Sequence, residues 1–512
     1  MNVKRILSVL LAAVMVLCLC FSAGAASQGG SYKISNPYAD VDWDSVNTYK
    51  VALHNHTNAS DGTPTLRQNL ERHAQTGFDI VAVTDHGTVN YSWEYENPNK
   101  LIHGGLSLVG KSKGELDYLG KEGTFADGTA YTLTERNGDD YLMLDSGREI
   151  MRVPYGIENN AVSVNAHVNS WFADYHDNSI TTYSDALRGV QKAGGVCVIN
   201  HPGEYSKARY EIRSANAYNT DEFQYWYHVN KWAKLIDKYD CCIGIDMNSK
   251  GDGRTRFDRI LWDILLERFS SNGKNVFAIC SSDAHQLDKI DTGFVYALMP
   301  EKTSAALRDS LENGRFFGAS HCLGNPDELV EIYTALEEIY GESELSNAVK
   351  EAAKAMDEKA AAIENGEEDA DDDIGITYSV LDDEGYCKSA TQPVITRVNV
   401  DESEGTISIE SENALIVRWI SNGKLVTTTS VGEAVFDLDD FTGKTGKYVR
   451  AEIFGEGGIV YTQAFIINPD DTQGAEKIVD SGFTDLGVFD FLIGVTGNWA
   501  DIISRAIGNL FR

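Results

Sequence analysis

Residues 54–86 read HNHTNASDGTPTLRQNLERHAQTGFDIVAVTDH. An apolar run at 51–53 ends in His54-x-His56. Alternation along a strand sends residues i and i+2 to the same side, so both imidazoles point into one space. Asp61 follows in Ser60-Asp61-Gly62. A helical segment over 65–76 then leads to a second apolar run, 80–83, which ends in Thr84-Asp85-His86. A lone His-x-His is a weak signal. Two strands that deliver imidazole at the same end, with a carboxylate between them, form a metal-binding pattern.

The same unit recurs downstream. Apolar runs lie at 141–144, 196–199, 242–245 and 276–279, and helical periodicity at 183–193, 223–238, 257–271 and 304–313. Strands alternating with helices predict a parallel sheet with helical crossovers. Continuous apolar strands suit a sheet buried on both faces. More than five repeats favour a closed or nearly closed barrel, with its site at the C-terminal ends of the strands. Each run is followed by a ligand-type side chain. Run 141–144 leads to Asp145-Ser146-Gly147-Arg148-Glu149, and 196–199 to Asn200-His201-Pro202. Run 242–245 leads to Asp246, and 276–279 to Ser282-Asp283-Ala284-His285. Ala166-His167 stands before Trp171. Tyr155-Gly156-Ile157-Glu158 competes with Gly147-Arg148-Glu149 for the glutamate position. Glu149 is preferred because it directly follows an apolar run, after an insertion over about residues 88–145.

HNH, SDG, TDH, GRE, AHV, NHP and SDAH, in this order over about residues 50–320, resemble the PHP (polymerase and histidinol phosphatase) family of metal-dependent hydrolases. The chain resembles its exported carbaryl-hydrolase-like and nucleoside-bisphosphate-phosphatase-like members, and the wording around Ala166-His167-Val168-Asn169 and Gly314-Arg315 is similar to the carbaryl-hydrolase-like branch. The resemblance implies an α/β fold, a distorted (β/α)7 barrel holding two or three divalent ions. The metal ligands it implies are His54, His56, Asp61, His86, Glu149, His167, His201, Asp283 and His285.

Imidazole and carboxylate donors without cysteine suit Zn, Mn or Fe. Such ions acidify a water and polarise an ester. Glu149 is the expected bridging carboxylate, and His201 and Asp283 are expected to serve as proton carriers. Asp246 is read either as a residue orienting a ligand histidine or as an ordinary loop acid. Arg148, Arg152, Lys207, Arg209 and Arg213 follow strand ends, where arginine suits bidentate phosphate binding. Arg148, Lys207 and Arg209 are the expected substrate contacts, with solvated surface charge as the competing reading. His73, His103, His176, His228 and His321 lie outside the motifs and are read as ordinary structural histidines.

The 512 residues carry a net charge of −33, which argues against stable nucleic-acid binding. Residues 1–26 read as a cleaved signal peptide: Lys4 and Arg5, an apolar run over 6–21, then Ala23-Gly24-Ala25. A secreted or extracytoplasmic protein is expected. The cysteines are sparse and irregularly spaced, with no disulfide framework legible, although an exported protein permits one.

Beyond the hydrolase domain, 49–322, residues 327–375 read as a helical segment and an acidic linker. Alternating runs over 392–468 predict a small all-β sandwich, a module suited to cell-surface or carbohydrate contact. Residues 484–512 have the spacing of an amphipathic helix. Three functions are open: a phosphoesterase acting on a phosphomonoester or small phosphodiester, a carboxylic or carbamate ester hydrolase on the same metal site, and a non-catalytic surface-binding protein. In the first two the partner is a small-molecule ester.

Overall fold

A computed structural model describes residues 32–95, 99–100, 103–104, 114–159, 167–176, 183–206, 208, 211–219, 223–247, 255–321, 326–367 and 391–468. The leader (1–26), Lys207, Arg209, most of the acidic linker and the 484–512 segment lie outside them. Among the described residues no helix is long and apolar enough to cross a membrane.

The fold is mixed α/β, and among the described residues its strands do not close into a barrel. Strand Asn47–Ala52 pairs in parallel with Ile80–Val81, which pairs in parallel with Glu149–Arg152. On its other side Asn47–Ala52 runs antiparallel to Gly293–Met299, which pairs with Phe316–Ser320. A second sheet carries Phe277–Cys280, Cys242–Met247 and Val196–Ile199 in parallel, then Val168–Trp171 and Ile157–Asn159 antiparallel. Between the two sheets, single bridges at His86↔Glu158 and Asn55↔Ala284 draw the strand ends together. Val51, Leu53, Ile80, Val198, Ile279 and Val295 fill the space between the sheets. The helices Tyr183–Ala193, Phe223–Lys238 and Asp258–Ser270 contribute to the core packed with the second sheet.

Local chemistry sets the first crossover. The Thr65 hydroxyl accepts from the Gln68 amide, and the Gln68 side chain reciprocates, so helix Leu66–Gln75 begins in a capping box. Leu66, Leu70 and Ala74 lie on its buried face.

Run 141–144 is not a barrel strand. Asp139–Leu144 belongs to an antiparallel meander with Glu122–Thr124, Ala130–Arg136 and Glu149–Arg152. Asp145-Ser146-Gly147 is its hairpin turn: Gly147 has φ 84° and donates to Leu144 O. The insertion therefore widens the first sheet.

The C-terminal strands are not a separable module. Val394–Asp401, Thr406–Glu412 and Val435–Asp437 form a three-stranded sheet. It shares one core with Trp419, Val449 and Ile453 of the facing strands, and that core runs on to Phe294 and Phe317 of the hydrolase half. Strand Gly458–Tyr461 pairs with Phe316–Ser320, with Gly318 opposite Tyr461, so the first sheet passes directly into the C-terminal strands. Phe277–Cys280 has no backbone ladder to Phe316–Ser320 among the described residues. Gln463 occupies that seam: its side chain accepts from Ala278 N (2.9 Å) and donates to Ala278 O (3.0 Å), as a neighbouring strand would.

A buried ionic cluster ties the halves together. Arg450 donates to Asp263 (2.7 and 2.8 Å) and Glu452 (2.6 Å), Arg418 pairs with Glu452 and Glu331, and Arg259 pairs with Glu328.

Candidate metal centre

All the histidines and acids expected as ligands converge at one end of the sheets, with the exception of Glu149. Three overlapping sets have ligand atoms within 4.8 Å of one another: His56, Asp61, His86 and His285; His54, His56, Glu158 and Asp283; and His86, Glu158 and His167. His201 completes the ring, its Nε2 3.4 Å from Glu158 Oε1 and 3.6 Å from Asp283 Oδ2.

Glu158, fully buried, stands at the centre. Its Oε2 faces His54 (3.4 Å), His56 (3.2 Å) and His86 (2.9 Å); its Oε1 faces His167 (2.9 Å) and His201. Asn200 also donates to Oε1, at 2.7 Å. Asp283 Oδ1 lies 3.1 Å from His54 and 3.0 Å from His56. Asp61 Oδ1 lies 3.5 Å from His86 and 3.3 Å from His285.

Glu149 is excluded by strand direction. It opens strand Glu149–Arg152, which runs parallel to Ile80–Val81, so it sits at the end opposite His86. There its carboxylate pairs with Arg136 (2.7 Å) and Lys302. The chain runs on through Tyr155-Gly156-Ile157 before it delivers Glu158 to the site. Gly156 marks the approach: a Cβ there would lie 2.6 Å from Val83 O. That close contact is the physical content of the Gly-x-Glu pattern.

The expected substrate contacts also change. Arg148 donates to the carbonyls of Ala74 (2.7 Å) and Phe78 (2.6 Å) and caps the end of helix Leu66–Gln75. Arg152 is bound to Asp140 and Asn90 O, and Arg213 to Asp357 and Glu364. Lys207 and Arg209 lie outside the described residues. Among the other histidines, His73 is buried, with its Nδ1 on Asn69 O (2.8 Å). His321 is buried against Gly457 O (2.7 Å).

A surrounding layer fixes the ligands. Asp246 Oδ2 lies 3.3 Å from His54 Nδ1 and accepts from Ser281. Asp85, between Thr84 and His86, accepts from Thr57 N (2.7 Å), Thr57 Oγ1 (2.7 Å) and Ser60 Oγ (2.6 Å), and so shapes the turn from His56 to Asp61. Glu204 holds His201 Nδ1 at 3.1 Å, and Asp258 accepts from Gly203 N at 2.7 Å. His201 (φ 26°) and Asp283 (φ 44°) both occupy the left-handed region, at a cost of about 1–3 kcal/mol each. Backbone strain of this kind concentrates where function requires a fixed side-chain direction.

The donor set fits divalent ions. Glu158 Oε2 is buried and faces three imidazole nitrogens at 2.9–3.4 Å. The Nε2 atoms of His54 and His56 lie only 3.2 Å apart. Lone pairs aimed at shared points are what cations require. In the protein alone, protons take that part. Burial opposes the charged form of His56, but Asp283 and Glu158 outweigh it and push the group up to about 10. The same contest holds His54 well above the usual imidazole range. Glu158, despite burial, is held well below the carboxylate range by His167, His86 and His54. Burial wins at His167, pushed down to about 4.

No protein-family model matches the chain, and no curated protein does. Among solved structures, a two-domain protein from Bacteroides vulgatus containing a predicted PHP-like metal-dependent phosphoesterase is 16% identical. The alignment covers 86% of this chain and all of that one, at a TM-score of 0.35. A lesion-specific endonuclease from Pyrococcus furiosus is 12% identical over 52% of this chain and 56% of its own (TM-score 0.27). An amidohydrolase from Chromobacterium violaceum is 13% identical over 46% and 87% (TM-score 0.25). The functional reading rests on the residues of the site.

Proposed function

We propose that this chain is an exported, metal-dependent phosphoesterase of PHP type, its site held between two facing sheets and acting on a phosphomonoester or small phosphodiester. The observation that carries the proposal is Glu158: one buried carboxylate whose two oxygens face two separate groups of imidazoles. A carboxylate so placed is suited to bridging ions. The residues that would hold two or three such ions are His54, His56, Asp61, His86, Glu158, His167, His201, Asp283 and His285. Divalent ions in such a set supply a water acidified near neutral pH and a Lewis acid for the ester oxygen. The chain's own part is orientation. Asp246 fixes His54, Glu204 fixes His201, and Asp85 fixes the turn that carries Asp61. The more exposed His285, His86, His167 and Asp61 define the approach for substrate. Export is supported by Lys4-Arg5, the apolar run and Ala23-Gly24-Ala25.

A second reading, carboxylic or carbamate ester hydrolysis on the same site, gains from the placement of Arg148, Arg152 and Arg213. All three are engaged elsewhere, which removes Arg148 as an expected substrate contact and two further arginines as candidates. Metal analysis of the purified chain decides, combined with turnover of p-nitrophenyl phosphate, bis-p-nitrophenyl phosphate and p-nitrophenyl acetate beside Glu158→Gln. Two or more ions and phosphate ester turnover, both diminished in the variant, support the first reading. Acetate turnover alone supports the second. A chain that takes up no Zn, Mn or Fe overturns both.

A further inference from the structure

Cys197 and Cys241 lie at the end of the second sheet away from the metal centre. Cys197 stands in strand Val196–Ile199, whose far end leads to His201. Cys241 immediately precedes strand Cys242–Met247, which carries Asp246. The two strands are parallel neighbours, Cys197 N donates to Cys241 O (2.8 Å), and the ladder register shifts just after Cys197. The two sulfurs are 3.6 Å apart. A disulfide requires side chains directed at one another and sulfurs about 2.05 Å apart. The first condition is met, and rotation about the side-chain bonds is the movement that closes the second. Cys197 is buried and Cys241 only partly so, which leaves one of the pair open to an oxidant.

We propose that Cys197 and Cys241 form a disulfide when the protein meets a small-molecule or protein disulfide, stapling the two strands. The exchange balances as follows. The Cys241 thiol loses its proton and attacks the oxidant's disulfide, forming a mixed disulfide and releasing one thiol. The Cys197 thiol then loses its proton and attacks Cys241 Sγ, releasing the second. Two protein thiols are oxidised to one disulfide, and one external disulfide is reduced to two thiols. Cys242, the residue beside Cys241, also lies against the Cys197 thiol, but its sulfur donates to Gly244 O at 3.6 Å, and the assignment leaves it as a thiol.

The full chain, folded and incubated with oxidised glutathione, tests this by alkylation of remaining thiols, digestion and mass mapping. The expected product is one crosslink joining the Cys197 and Cys241 peptides, about 2 Da lighter than the reduced pair. It should form in Cys242→Ser, be absent in Cys241→Ser, and raise Tm by a few degrees over the reduced protein. A crosslink through Cys242, stable glutathione on Cys241 alone, or both thiols still alkylated after oxidation of the folded protein would each overturn the assignment.

Discussion

Asp246 and His54 meet across the two sheets: a carboxylate oxygen of one lies 3.3 Å from Nδ1 of the other, which leaves His54 Nε2 aimed at Glu158 and Asp283. A partner of this kind fixes both the tautomer and the ring direction. Asp246→Asn should therefore lower metal affinity or ester turnover by roughly 10–100-fold while the fold persists. Titration of the variant with Zn or Mn, beside circular dichroism, measures both. Unchanged affinity would reduce Asp246 to a loop acid.

Glu158 and Glu149 offer a direct contrast. Glu158→Gln should lose at least one bound ion per chain and most activity, because among the described residues Glu158 is the carboxylate that faces His86 and His167 together. Glu149→Gln should keep its metal content and turnover, since Glu149 pairs with Arg136 and Lys302 at the opposite end of its strand. Metal analysis of the two variants side by side reads the difference. The reverse pattern would return the bridging role to Glu149.

Metal uptake should expel protons. His56 in the ion-free protein is held up at about 10, and a cation binds only its neutral form. The group is protonated below that value, so affinity should climb as pH rises from 6 toward 9. Calorimetry in buffers of different ionisation enthalpy should show proton release on metal addition. A pH-independent affinity with no released proton contradicts the assignment of His56.

Glu452 sets an acid limit on stability. Burial raises its carboxyl, but Arg418, Arg450 and Arg259 outweigh burial and hold it at about 2. A depressed carboxylate contributes stability in full above its unfolded value, and that contribution fades as pH falls from about 4.5 toward 2. Thermal melts over this window should show a steeper decline for the native chain than for Glu452→Gln. The variant should be less stable at pH 7, because Arg418 and Arg450 stay buried with fewer partners.

Gln463→Ala should destabilise the protein through the hydrolase half. It leaves the N–H and C=O of Ala278 unpartnered in a buried seam, at about 1–3 kcal/mol for each group. A lowered Tm with unchanged metal stoichiometry is expected. A Tm equal to that of the native chain would show that water replaces the glutamine.

Much of the site was legible because strand alternation and strand-end placement are local: His54-x-His56, Thr84-Asp85-His86 and Ser282-Asp283-Ala284-His285 each declare themselves within a few residues. Glu158 was harder. The apolar run before Glu149 looked like a barrel strand, and only the hairpin at Gly147 reveals that the chain turns back. The better clue was Gly156, where the backbone passes too close to Val83 for any side chain. Arg148 misled for a related reason, since a cation after a strand serves a helix C-terminus as readily as a substrate. The C-terminal strands read as a separate sandwich because their alternation says nothing about which sheet they join.

That last feature has a consequence in time. The edge of Phe316–Ser320 and the flank of Phe277–Cys280 are completed by residues 459–463, about 140 and 185 positions later in the chain respectively. At 5–20 residues per second, roughly 7–37 seconds of synthesis separate them. Until the last strands arrive, the ligand-bearing half carries an open sheet edge, the feature most prone to pair with another chain. Maturation therefore proceeds from the wrong end: the half that carries the ligands is made first and completed last.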